Sequence, residues 1–403
     1  MHIDLIKKVI TVLAEEIGTR PLGSEANGRA LDWAEALFTE LGCAAERQAF
    51  AAKGWEPGDS GLKLNGVPLT HLVNPYSPAF RIQGPLLKAG TLEELEAIRE
   101  PGAILLLHGA LGAETVMPKS FTFYNPPHHG QLVSRLEALA PALVIAVRDE
   151  ALPDNVTGVS GKTVLEPVFN DGDLRFPSVT VTLRQLQALG GVAGCRSAEA
   201  FSEGGSPLRQ TGNLVVRLGN AEHPRVLVTA HLDTFFNTPG ALDNASGIGF
   251  LAALGATGLR LPGHCLELVL INGEDHYGIL GERALMAALA ESAIPTVLAV
   301  NVDGLGYRGT KNGVSCYAMP PDLETKVKAA LEADAAMVPM APWPQGDHMI
   351  FASMGIPTLA LASCPFEDYL ARCHHSPADT ADQADPALVN SAVAWLVRFL
   401  EAF

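Results

Sequence analysis

The stretch Arg225-Val226-Leu227-Val228-Thr229-Ala230-His231-Leu232-Asp233, with Gly240-Ala241-Leu242-Asp243-Asn244-Ala245-Ser246-Gly247 after it, decides the fold. Arg225 to Ala230 is a short apolar run of the kind that forms a strand buried on both faces, and the residues from Ser246 to Leu254 follow as a helix. An open α/β sheet binds its ligands beyond the carboxyl ends of its strands. Here the strand is followed at once by an imidazole and a carboxylate.

Outward from this unit the alternation continues. Cys265 to Asn272 reads as a strand, Glu282 to Ala290 as a helix, Thr296 to Val302 as a strand and Asp322 to Ala335 as a helix. Pro357 to Leu361 gives a further strand and Pro386 to Leu400 a final helix. The pattern predicts an α/β three-layer sandwich with a mostly parallel central sheet. At the other end, Met1 to Arg20 reads as an amphipathic helix with Leu5, Ile6, Val9, Ile10 and Leu13 on one side. A second helix runs from the N-cap Ser24 to Leu41, and Gly42 closes it.

Between Trp55 and Pro207 the texture changes to short strand-like runs (Ala103 to Leu107, Ala142 to Val147, Ser178 to Val181) broken by Gly, Pro and Asn. We expect residues 55–206 to be an inserted β-rich domain, ending at the linker-like Gly204-Gly205-Ser206-Pro207, and residues 1–54 and 207–403 to form the α/β domain. A chain of 403 residues is long enough for two folded units.

Composition narrows the function. Hydrophobic residues make up 48% and charged residues 18%, a globular balance. A formal net charge of -16 without a Lys/Arg-rich run argues against a nucleic-acid surface and against a basic membrane-binding face. No apolar run approaches the roughly 18 residues of a membrane span. The N-terminal segment lacks the uninterrupted apolar core of a signal peptide, which predicts a cytoplasmic protein. Six cysteines without a C-x-x-C pair indicate neither a zinc ribbon nor a redox dithiol.

The chemistry sits at the strand ends. The first strand ends in His231-Leu232-Asp233, the second in Glu274-Asp275-His276 and the third in Asp303, while Asp243 opens the helix after the first. Imidazole and carboxylate together suit Zn²⁺, whereas carboxylates alone would suggest Mg²⁺ or Ca²⁺. Singly, His231 can be a core histidine and Asp243 an N-cap. Together, several adjacent strand ends would have to gather unpaired acids at high Coulomb cost.

These residues resemble the co-catalytic zinc aminopeptidases, family twenty-eight of the metallopeptidases. The resemblance rests on Val228 to Asp233, Gly240 to Gly247, Asn272-Gly273-Glu274-Asp275, Asn301-Val302-Asp303 and His375-Ser376-Pro377-Ala378-Asp379-Thr380, with Gly18-Thr19-Arg20-Pro21-Leu22-Gly23-Ser24 matching the opening segment. Phe176 to Val181 and the Leu-rich helix after it make the insert similar to a protease-associated domain. The resemblance implies two divalent ions, expected to be Zn²⁺, with His231 and Asp303 on one, Asp275 and His375 on the other, and Asp243 bridging. It makes Glu274 the general base acting on a shared water, with a peptide as substrate. Asp233 would hold His231 in its ligating tautomer.

This chain departs from the family at two places. Paired glutamates are common where it has Glu274-Asp275-His276, so a shorter carboxylate must reach the metal, and His276 is an alternative ligand to Asp275. Where many members have a tyrosine before the last ligand, this chain has His374, which can also donate to an oxyanion. Asp347-His348 resembles a segment that buttresses the site. His128-His129, after Phe121-Thr122-Phe123-Tyr124, could lean from the insert over the cleft.

Rival readings remain at this stage. Gly247-Ile248-Gly249-Phe250-Leu251-Ala252 formally fits a dinucleotide fingerprint with Glu267 beyond it, but a long segment containing Pro239 separates it from the strand. A single-zinc glutaminyl cyclase, a carboxypeptidase of the same family and a non-catalytic binding protein on this fold are the nearer alternatives.

Overall fold

The computed structural model describes residues 2–121, 125–151 and 165–403, so Thr122, Phe123 and Tyr124 of the aromatic run lie outside the described residues. The chain divides into two compact units, one of Met1–Ala52 with Arg209–Phe403 and one of Lys53–Leu208.

In the first unit the strands are β1 (Ala44–Lys53), β2 (Leu208–Leu218), β3 (Arg225–His231), β4 (Cys265–Ile271), β5 (Thr296–Val302), β6 (Lys311–Tyr317), β7 (Met337–Pro339) and β8 (Thr358–Cys364). They form one sheet in the order β1-β2-β4-β3-β5-β8-β6-β7. The four central strands β4, β3, β5 and β8 run parallel, and β2 and β6 flank them antiparallel. The expected mostly parallel sheet is therefore present.

Alternation within the strands sets the layers. Val226, Val228, Ala230, Leu266, Leu268 and Leu270 share a core with Ile6 and Val9 of α1 (Ile3–Thr11), Ile248 and Leu251 of α3 (Ser246–Ala256), and Val393 and Leu396 of α8 (Pro386–Glu401). Their neighbours Leu227, Val269, Ile271 and Ala299 pack on the opposite face against Leu285 of α4 (Leu280–Glu291) and Ile350 and Phe351 of α6 (His348–Ser353). Helix α2 (Glu25–Glu40) starts where expected, Ser24 accepting from the Asn27 N–H, and Gly42 at φ 75° follows its end. Two further helices are α5 (Pro321–Ala333), between β6 and β7 in sequence, and α7 (Phe366–Arg372), after β8.

Four strands of this unit escaped the sequence reading, each for a local reason. Five of the ten residues of β1 are alanine, a poor strand former. β2 and β6 carry Gly212-Asn213 and Asn312-Gly313, which read as turns. Tertiary contacts override that preference: Asn312 donates to Leu388 O and Ser391 Oγ, and a side chain at Gly313 would collide with Cys364 and Met340. β7 is only three residues long.

The second unit has its own sheet, in which Phe80–Ala89, Ile104–Leu107, Leu143–Arg148 and Ser178–Thr182 run parallel. The helix Pro127–Leu139 packs Leu132, Val133 and Leu136 against Leu105, Leu107, Val144 and Ala146. The unit thus mixes parallel strands with the helix Pro127–Leu139, which the expectation of a β-rich domain did not name.

Candidate metal centre

Register brings the strand ends together. His231 pairs with Ile271 across β3 and β4, and Thr229 pairs with Asn301 across β3 and β5, where the Thr229 hydroxyl donates to Asn301 Oδ1 at 2.7 Å. The residues that follow, Glu274, Asp275 and Asp303, consequently emerge at the same edge as His231. The ligand atoms of His231, Asp243 and Asp303 lie within 4.8 Å of one another, as do those of His231, Glu274 and Asp275, and those of Asp243, His374 and His375.

Asp243 lies between two imidazole sets. Its Oδ1 is 2.8 Å from His231 Nε2, while its Oδ2 is 3.6 Å from His375 Nε2 and 3.9 Å from His374 Nε2. Asp303 Oδ1 stands 3.6 Å from His231 Nε2, and Asp275 Oδ1 2.9 Å from His375 Nε2. His375 stacks flat on Phe235 at 4.2 Å and on His374 at 3.7 Å. Asp243 precedes Asn244 through a cis peptide bond, and Asn244 ties the turn to β5 by donating to Val302 O at 2.7 Å.

The tautomer of His231 tests whether a cation fits. Its Nδ1–H donates to the backbone carbonyl of Asp233 at 3.1 Å, which leaves the Nε2 lone pair, buried and without a hydrogen-bond partner, facing the carboxylates of Asp243 and Asp303. Asp275 Oδ2 is likewise buried and unpartnered. Acceptors facing acceptors in a buried site call for a cation, and imidazole with carboxylate suits zinc. Burial opposes charge on His231, but the neighbouring carboxylates of Asp233, Asp243 and Asp303 carry its proton affinity well above the ordinary value. Burial also opposes ionisation of Asp243, but His231 outweighs it and holds that carboxyl below its usual range.

It is the carbonyl of Asp233 that meets the His231 ring; the carboxylate, 3.8 Å from Nδ1, takes the N–H groups of Gly273 at 2.7 Å and Glu274 at 3.2 Å. Asp233 therefore anchors the loop bearing Glu274. Burial, followed by the charge of Asp275, pushes the Glu274 carboxyl well above its normal range. His276 accepts from Gly278 N–H at Nδ1, 3.0 Å, and among the described residues it joins none of the metal-ligating groups.

Two supports had weaker sequence signals. Asp379 was only the end of a motif, yet it is fully buried and accepts from the backbone N–H groups of Leu242 and Asp243. Arg20 is also fully buried and donates to the carbonyls of Leu13, Gly18, Leu232, Pro239 and Gly240, bracketing the segment between Asp233 and Asp243. An arginine within a Gly/Pro-rich turn is the signal that was available.

His128 and His129, in the second unit, both approach Glu114 Oε1, at 2.8 and 3.0 Å. The Met117 N–H donates to His129 Nδ1 at 3.1 Å, so the neutral ring carries its proton on Nε2 and has no lone pair there for a metal.

Residues 213–400 match the model of peptidase family M28. None of the curated proteins matches the sequence. Among solved structures, the chain resembles BSAP, a zinc aminopeptidase from Bacillus subtilis, at 16% identity and TM-score 0.75, over 99% of this chain and 94% of that one. An aminopeptidase from Aneurinibacillus sp. strain AM-1 matches at 18% identity and TM-score 0.72, over 99% and 92%. Porphyromonas gingivalis glutaminyl cyclase matches at 13% identity and TM-score 0.50, over 99% and 98%. At these identities the likeness is one of fold.

Proposed function

We propose that the chain, whose residues 213–400 match the model of peptidase family M28, is a zinc metallopeptidase of that family, an aminopeptidase releasing N-terminal residues from peptides at a two-metal site. The observation that carries the two-metal reading is Asp243, whose two oxygens face separate imidazole sets. His231 and Asp303 would hold one ion, Asp275 and His375 the other, with Asp243 shared. Two ions bound there would supply an acidified water and polarise the scissile carbonyl.

Glu274 is the proton carrier of this reading. Its carboxyl is within reach of His231 and Asp275, its loop is anchored by Asp233, and burial raises its proton affinity toward the range useful in a general base. It takes the proton from the attacking water and delivers it to the leaving amine. In this reading His374, which stacks on His375, donates to the substrate carbonyl oxygen. The Lys53–Leu208 unit we read as an inserted domain similar to protease-associated domains.

Elemental analysis of metal per chain, together with turnover of aminoacyl chromogenic substrates and of an N-terminal glutaminyl peptide, tests the proposal. About two zinc ions with aminoacyl turnover supports it. One zinc ion with glutaminyl cyclisation and no peptidase turnover would replace it with the cyclase reading.

A further inference from the structure

Beside the metal centre, two acids meet that the reaction above does not use. Glu282 lies in the first turn of α4 and Asp347 immediately precedes α6; they are 5% and 1% exposed. Their carboxyl groups are within hydrogen-bonding reach of each other. As long as both are carboxylates, however, Glu282 Oε2 and both oxygens of Asp347 are buried acceptors without a donor. Two buried acceptors in contact, with no donor to satisfy them, are strongly unfavourable; one shared proton turns them into a donor and an acceptor.

The contact is enforced by backbone on both sides. Gly281 is clamped against the end of β4: a Cβ there would lie 2.4 Å from Asn272 O and 2.5 Å from Asn213 Oδ1, and Asn213 donates to Gly281 O at 2.8 Å. Before Asp347, Gly346 at φ +106° passes so near the metal site that a Cβ would come within 3.7 Å of Asp303 Oδ2. Asp347 O accepts from Ile350 N–H, and neighbouring His348 is held through Nε2 to Trp343 O at 3.0 Å. The pair therefore joins the turn that follows the Glu274-Asp275 loop to the turn packed on Asp303.

We propose that Glu282 and Asp347 share one proton at neutral pH and act as positioning residues, a clasp that fixes the loop carrying Glu274 relative to the Asp303 turn. The positioning half rests on Glu274 being the general base; the shared proton does not. The groups whose charges face the pair are Glu274, Asp233 and His231 on the Glu282 side, and His231 and Asp303 on the Asp347 side. The carboxylates among them disfavour a second negative charge. Burial first, then neighbouring acids, pushes both carboxyls well above the usual range.

Infrared difference spectra of the metal-loaded protein at neutral pH, wild type against Glu282→Gln and against Asp347→Asn, test the proton. Each variant should lose the carbonyl stretch of one neutral carboxylic acid, because the amide now supplies the donor. A band unchanged in both variants overturns the shared proton. Melting temperature supplies an independent reading: the wild type should lose stability relative to Glu282→Gln as pH rises above about 4, the ordinary carboxylate range, and parallel curves count against the proposal.

For the positioning role, Glu282→Ala should lower kcat about 10- to 100-fold, the usual effect of an outer-sphere partner, with KM and metal content unmoved. Glu282→Gln should restore most of that loss. Should Glu282→Ala fail to fold, Asp347→Ala against Asp347→Asn makes the same comparison. Unchanged kcat in the alanine variant overturns the positioning role, while loss of the infrared signal with unchanged kcat would retain the shared proton alone, and Glu274→Gln separately tests the base.

Discussion

Asp379 grips the backbone of Asp243, its Oδ2 accepting the Asp243 N–H at 3.0 Å while its Oδ1 accepts that of Leu242 at 2.8 Å. The carboxylate four residues beyond His375 thus sets the position of the residue between the two imidazole sets, linking the last motif of the chain to the first.

This contact has a pH signature in metal-stripped protein. Burial, then repulsion from Asp243, pushes the Asp379 carboxyl up to about 7, against about 3.9 in an unfolded chain. A raised folded-state value means the unfolded chain releases its proton first. The stability contribution is therefore present at low pH and is lost as pH rises from about 4 through about 7. In thermal melts across that window the wild type should lose stability relative to Asp379→Asn as pH rises, and a constant offset would show that Asp379 does not titrate there.

Glu274→Gln keeps the side chain's shape and removes its basicity. We expect kcat to fall by about 10²- to 10⁴-fold, the usual worth of a positioned general base, with metal content unchanged by elemental analysis. Turnover at the wild-type rate with metal still bound would remove Glu274 from the mechanism.

The legible part of the structure was what apolar pattern and strand-end chemistry dictate. β3, β4, β5 and β8 are nearly continuous apolar runs, and the residues just past β3, β4 and β5 are those the sheet brings to one edge. What stayed hidden depends on contacts between residues far apart in the chain. The role of Arg20 arises from carbonyls as distant as Gly240, and β6 exists despite Asn312-Gly313 because α8 supplies acceptors for Asn312. Glu282 and Asp347 look like ordinary polar residues at helix starts until the fold buries them together.

Removing metal should destabilise the chain, because Asp243, Asp275 and Asp303 then face one another across the imidazoles without a multivalent cation. Binding to the folded state alone contributes about 3 kcal/mol when free metal is a hundredfold above its dissociation constant. Chelation should lower the midpoint of thermal unfolding, and added zinc should restore it. Calorimetry before and after dialysis against chelator measures this, and an unchanged midpoint would argue against a cation bound at these residues.

Arg20 offers a last test, of how the segment carrying Asp233 and Asp243 is held. Its guanidinium reaches Leu232 O through Nε at 2.8 Å, Pro239 O through one terminal nitrogen at 2.8 Å and Gly240 O through the other at 3.0 Å. Burial lowers its proton affinity to about 10, so it remains charged at neutral pH. Replacement by methionine fills part of the volume but strands several buried carbonyls, each costing about 1–3 kcal/mol. Lysine restores the charge without the planar fork that spans separate carbonyls. Urea unfolding should therefore rank wild type above Arg20→Lys and Arg20→Lys above Arg20→Met, and metal affinity measured by competition with a chromophoric chelator should follow the same order. If metal affinity stays constant while stability falls, Arg20 supports the fold without shaping the ligand turn.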